Sequence, residues 1–194
     1  MDEVERISVL GIGNPLKKDE GAGVRIAEEL LARYEFPDNV QVIDVGTMGL
    51  SILPLFQECD YMIVADAVDG TGHPPGTVVL MSPEDVAPNQ VMHSLHDVRF
   101  ADVLQTAELI GCSVHATVVG IQIEEMSLTA DVDLTPPVEA ALPSAVEAIL
   151  GILAEHGVTP RVRDEADVRA RMLESARFRM PVVPPGDEDA GAVS

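Results

Sequence analysis

Apolar residues fall into short blocks along the first 160 or so positions, and the spacing inside the blocks switches between two kinds. Ile7-Ser-Val-Leu-Gly11 is a brief apolar run ended by glycine, which predicts a buried strand. From Glu20 to about Tyr34 the positions Val24, Ile26, Ala27, Leu30 and Leu31 recur at helical spacing. Val40-Gln-Val-Ile-Asp44 predicts a second strand, and Leu50 to Gln57 a short helix with Pro54 near its start. Tyr61-Met-Ile-Val-Ala-Asp66 is the most apolar run, which predicts the central strand of a sheet. Thr77-Val-Val-Leu-Met81 follows too soon for a crossover helix, so this fourth strand is expected to run antiparallel. Pro83 to Met92 reads as loop. Asp97 to Ile110 then reads as a helix with Val98, Ala101, Leu104 and Leu109 facing inward. Ser113 to Gln122 alternates and then turns fully apolar, a fifth strand.

The last core helix opens at Leu134-Thr-Pro-Pro137. Thr135 is predicted to cap it, and Pro136 takes the first helical position, where a missing N–H costs nothing. Val138, Ala141, Leu142, Ala145, Ile149 and Leu153 form its stripe, and Gly157 ends it. Strands alternating with helices predict a three-layer α/β/α domain around a mixed, mostly parallel sheet of five strands. Beyond about residue 158 the composition changes. Arg161 to Arg179 is charged and reads as a surface helix, and Pro181-Val-Val-Pro-Pro-Gly-Asp-Glu-Asp reads as a disordered end. The division expected is a domain over 1–158 and a charged extension over 159–194.

Charge narrows the function classes. With 12 Lys and Arg against 33 Asp and Glu, the net charge is -21, and the chain has little with which to neutralise phosphates, so nucleic acid is not expected as a partner. Cys59 and Cys112 form no CxxC and read as small buried apolar residues. The start, Met-Asp-Glu-Val-Glu-Arg, is acidic where a signal peptide would be basic. No apolar run was expected to reach the roughly 18 residues of a membrane span. The expected location is the cytoplasm, away from the membrane.

Candidate chemistry gathers after the first and third strands. In an open α/β sheet, sites form beyond the carboxyl ends of strands where the strand order reverses. Asp19-Glu20 follows the first strand and Asp66 ends the third. Asp19 is assigned to capping the helix behind it, leaving Glu20 to face the site. Two converging carboxylates call for a cation or shared protons, and a neutral imidazole adds a donor without further charge. Of the loop histidines His73, His93 and His96, His96 is the one chosen; His115 and His156 read as structural. Asp44 and Asp69 are supporting acids. Such an O,O,N set suits zinc, nickel, manganese or iron. HExxH and GxSxG are absent, and Leu16 stands where a dinucleotide fingerprint needs its third glycine.

Five motifs in order carry a resemblance: Gly11-Ile-Gly-Asn-Pro-Leu…Asp19-Glu-Gly-x-Gly-Val-Arg25, Asp44-x-Gly-Thr-x-Gly49, Ala65-Asp66-Ala67 with Pro75-Gly-Thr77, Ser94-Leu-His96, and Leu134-Thr-Pro…Val-Glu-Ala. Together they closely resemble the [NiFe]-hydrogenase maturation proteases. The resemblance implies a phosphorylase/hydrolase-like fold with strand order 2-1-3-5-4 and the fourth strand antiparallel. It implies an endopeptidase, of the kind grouped as aspartic-type, that removes a C-terminal extension from the precursor of the hydrogenase large subunit after nickel insertion. It further implies that Glu20, Asp66 and His96 contact the metal, that the nickel arrives with the precursor, and that zinc or cadmium can take its place in vitro. A non-catalytic nickel checkpoint using the same three residues, and a metallo-aminopeptidase-like hydrolase, are the alternatives.

Overall fold

The computed structural model of the chain describes residues 4–47, 49–83, 100–112, 114–124 and 131–179. Its main sheet is built from β1 (Ile7–Ile12), β3 (Val40–Gly46), β4 (Tyr61–Val68), β5 (Val78–Met81) and β6 (His115–Gln122), in the order β3-β1-β4-β6-β5. The pairs β1–β3, β1–β4 and β4–β6 are parallel, whereas β5 runs antiparallel to β6. The expected architecture and order are therefore those observed, with β4 at the centre. The antiparallel fourth strand follows from the short Asp69–Thr77 connection, which closes through Gly76 N–H donating to the Gln122 carbonyl.

Alternation along the strands divides the core into two layers. Ile7 and Val9 of β1, Ile63 and Ala65 of β4, and Val119 and Ile121 of β6 face α1 (Ala22–Arg33) and the long helix Pro136–Glu155, through Ile26, Leu30, Val138, Ile149 and Leu153. Leu10, Val45 and Met62 face the opposite way. They pack on α2 (Leu55–Glu58) and α3 (Phe100–Leu109) through Phe56, Val103, Leu104 and Ala107. Phe56 and Phe100 stack with centroids 6.1 Å apart, bridging the two elements. With few aromatics, burial of aliphatic side chains at roughly 25 cal/mol per Å2 is the main source of cohesion.

Three local expectations are corrected. The segment after Met48 is not one helix: a 3-10 turn over Gly49–Ile52 ends before Pro54, whose ring cannot donate within the turn, and α2 starts after it. The helix Pro136–Glu155, named α4 from here, begins after Thr135 in extended conformation as expected, but the Thr135 hydroxyl does not cap it. The same helix is long and apolar enough to cross a membrane by length and composition, contrary to the expected absence of such a run. In this fold its apolar stripe lies on the sheet, and Gly157 closes it in a left-handed turn at φ 76°.

The extension takes shape over 161–179. β7 (Arg161–Val162) pairs antiparallel with β2 (Tyr34–Glu35), the short strand that follows α1, and α5 (Glu165–Arg179) packs against α1. Arg161 pairs with Glu35, and Arg163 donates to the Tyr34 carbonyl. The expected disordered end at 181–194 lies outside the described residues, as do Met92, His93 and His96.

At Gly23 helix and sheet approach so closely that a Cβ would lie 2.2 Å from the carbonyl oxygens of both Ile12 and Ala65. Neither oxygen can withdraw, because both belong to core strands. Gly23→Ala is expected to destabilise the protein by about 3 kcal/mol or more, above the usual overpacking range. Denaturant unfolding checks this.

Candidate active site

The site grows out of the turn that leaves β1. Gly13 N–H donates to the Gly46 carbonyl at 3.0 Å, so the exits of β1 and β3 are tied together. The chain then folds back on itself: the Asn14 side chain accepts from Leu16 N–H at 3.0 Å, and Asn14 N–H donates to the Glu20 carbonyl at 3.1 Å. Gly13 sits at φ 140°, and a Cβ there would fall 1.9 Å from that same Glu20 carbonyl. Only glycine fits on both counts. Lys18, at φ 52°, is the one positive-φ residue besides glycine among the described residues, and its strain is held by N–H donation to the Asp131 carbonyl at 2.7 Å.

This turn delivers Asp19-Glu-Gly21 as a short 3-10 segment at the head of α1, against β4. The expected cap is corrected here. Asp19 makes no cap bond to α1; Gly21 holds the N-cap position, and the Asp19 carboxylate is fully buried and pointed the other way. Its Oδ1 accepts from Thr135 N–H at 2.7 Å, and its Oδ2 from the Thr135 hydroxyl at 2.8 Å and Glu124 N–H at 3.0 Å. Thr135 is thereby taken from its expected capping role.

Glu20 remains partly exposed, with the Lys17 ammonium 3.8 Å from its Oε2. Asp66, inside the last turn of the pleat of β4, accepts from Ala67 N–H at 2.8 Å. Burial pushes the Asp66 carboxyl up to about 7; the Ala67 amide pulls it back, and the negative charge of Glu20 raises it further. The two acids share one end of the sheet, Glu20 in the segment after β1 that packs on β4 and Asp66 near the end of β4 itself. The third expected residue, His96, lies outside the described residues. Among the described residues no three His, Cys, Asp or Glu side chains cluster as a metal site. As a donor set, Glu20 and Asp66 are two hard oxygen ligands suited to a divalent cation.

The other candidates are dispersed. Asp44 is exposed at the end of β3, holding Gly46 N–H, and Asp69 accepts from the buried Gln122 side chain. His73 and His115 are exposed, and the His156 ring packs 4.1 Å from Tyr61 and pairs with Glu5. Cys59 and Cys112 are free thiols, Cys59 being buried as expected. Sequence reasoning missed Glu28, half-buried on the second turn of α1. Burial raises it to about 7; Arg25 lowers it, and Asp44 and Glu29 raise it.

Comparison with known proteins decides the family. Residues 24–152 match the family model described as hydrogenase maturation protease. The chain belongs to that family. It is 40% identical over 176 residues to the hydrogenase expression/formation protein HupD of Bradyrhizobium diazoefficiens, covering 89% of this chain and 88% of the relative. It is 40% identical over 157 residues to the hydrogenase 2 maturation protease of Escherichia coli, covering 79% of this chain and 93% of that one. Among solved structures, the E. coli hydrogenase maturating endopeptidase HybD superposes with a TM-score of 0.73 at 37% identity, over 81% of this chain and 98% of that one. The present maturation protease is therefore a peptidase of the hydrogenase assembly route, built on the same mixed-sheet fold.

The two raised carboxyls give the maturation protease a signed pH dependence. Both titrate near 7 when folded and near 4 when unfolded, so the folded state binds more protons between those values. Their contribution to stability is complete below about pH 4 and is lost as pH rises through 7. Asp66→Asn and Glu28→Gln are each expected to stabilise the protein at pH 8 by on the order of 1–2 kcal/mol and to change little at pH 4. Urea unfolding at the two pH values checks it.

Proposed function

We propose that this protease removes a C-terminal extension from the precursor of the [NiFe]-hydrogenase large subunit once nickel has been inserted, and that Glu20, Asp66 and His96 face that nickel. The observation carrying this reading is the placement of Glu20 and Asp66 beyond and near the carboxyl ends of adjacent parallel strands, where the charge of Glu20 raises the cost of ionising Asp66. Paired acids so placed favour a divalent cation over an empty site. Here the cation is part of the substrate, so charge attraction makes binding dependent on metal loading.

The reaction class follows from the family; the specificity follows from the acids. A precursor without nickel brings nothing to relieve the Glu20–Asp66 repulsion, whereas a loaded one does. Lys17, beside Glu20, is near enough to offset part of that repulsion before substrate arrives, as a weak and solvent-screened ion pair. Once the metal is engaged, the scissile bond lies beside it and a carboxylate can position or deprotonate the attacking water. The free cysteines, both unpaired, suit the reducing cytoplasm in which such a precursor would be met.

The test is a mass measurement on purified precursor, nickel-loaded and nickel-free, after incubation with the protease. The expected result is a shortened large subunit from the loaded form alone. Glu20→Gln, Asp66→Asn and His96→Gln are each expected to lower the cleavage rate by about a thousandfold or more while far-UV circular dichroism stays that of the parent. A bound but uncut loaded precursor would instead make the protein a checkpoint without proteolysis, and cleavage of short unmodified peptides would point to a general hydrolase.

A further inference from the structure

We propose that Asp19 is a positioning residue for Glu20, acting together with Thr135 of the Leu134-Thr-Pro motif. The proposal rests on the reading of Glu20 as a residue that faces the metal-bearing substrate. Asp19 does not reach the site itself. Its carboxylate is 0% exposed and is spent on Thr135 N–H, the Thr135 hydroxyl and Glu124 N–H. Those bonds join the turn after β1, the exit of β6 and the start of α4, elements 105 to 116 residues apart in sequence.

The geometry transmits directly to Glu20. Asp19 and Glu20 belong to one three-residue 3-10 segment, whose far end is fixed by Asn14 N–H on the Glu20 carbonyl and by the close approach of Gly13. With both sides of the segment held, the backbone of Glu20, and with it the direction in which its Cα–Cβ bond leaves the chain, is fixed. A parallel tie runs alongside: Lys18 N–H donates to the Asp131 carbonyl, Asp131 N–H donates to the Leu16 carbonyl, and Arg25 donates to the Val132 carbonyl. The strand-like segment 131–135 is thus laced to the first motif from Leu16 to Arg25.

A carboxylate is required because the three donors among the described residues all point hydrogens at it, and an acceptor-only group satisfies them together. An asparagine of the same shape would turn N–H groups toward the Glu124 or Thr135 amide. That leaves a buried donor unpaired and forces the segment to shift. A carboxylate used for stability alone would not need to stand next to the site acid with its charge hidden from solvent, since burying it costs unless every bond is made. Held this way, it fixes Glu20 without adding a charge that faces the substrate.

The test uses the full chain with Asp19→Asn, Thr135→Val and Thr135→Ser. The first readout is the carbon-13 resonance of the Glu20 side-chain carboxyl in the free protein. The second is the kcat and KM for nickel-loaded precursor, measured well below the melting temperature of each variant. Asp19→Asn is expected to move the Glu20 resonance and to lower kcat about tenfold or more with KM within about twofold, as for a displaced site group. Thr135→Val, which keeps both backbone donors, is expected to do the same to a smaller degree, and Thr135→Ser to restore both readouts. An unmoved Glu20 resonance with parental kcat in folded Asp19→Asn overturns the proposal. Should that variant fail to fold, the same null result in Thr135→Val overturns it. If the parent protein does not cut the precursor, the proteolytic reading falls, and the Glu20 resonance alone still decides whether Asp19 positions it.

Discussion

The whole carboxyl end of the sheet depends on how closely α1 begins against β1 and β4. At Gly23 the helix backbone nearly touches two strand carbonyls, and at Gly11 a Cβ would lie 2.5 Å from the Gly23 carbonyl. This proximity leaves no room for a spacer between the sheet and the residues that precede the helix. The turn from Gly13 to Glu20 is therefore folded back into a compact loop whose own carbonyls and amides hold it shut. A phosphate-binding loop with three glycines would use the same position to present amides to a ligand; here the amides are turned inward on the loop and the side chain of Glu20 is what remains.

Much of the fold was legible because its signals are local. The apolar runs at Ile7, Val40, Tyr61, Thr77 and Ser113, and the stripe from Val138 to Leu153, each report burial on a scale of a few residues, and the strands and helices follow them. The brevity of the Asp69–Thr77 connection even carried the direction of β5. Asp19 was misread for the same reason that these were read well. Next to a helix start, an acid looks like a cap, and nothing in the nearby residues reveals that its partner is Thr135 across the fold. The two residues do stand in separate motifs of the family pattern, yet one chain does not say which motifs touch. Pro54 and Glu28 make the complementary point, since a helix breaker's exact effect and a half-buried carboxyl's environment are set by packing rather than by pattern.

The candidate site was read from a rule about strand ends. That rule, that chemistry gathers where the strand order reverses, singled out Glu20 and Asp66, which the fold places after β1 and near the end of β4, two adjacent parallel strands. The extension after Pro160 was readable as charged and helical, but not as a clasp. Its short strand pairs at Tyr34–Glu35, and its helix packs on α1, the helix that starts directly after the Asp19–Gly21 segment.

The lacing of the first motif to Thr135 has a consequence for the order in which the protein becomes competent. Residues 13–20 emerge from the ribosome long before residue 135, so during synthesis the acid loop exists without its anchor. The full set of bonds that holds the loop can arise only after the last core helix has been made and docked. That delay means the nascent chain carries a loose acid loop, and the finished chain is the first form in which the backbone on both sides of Glu20 is held.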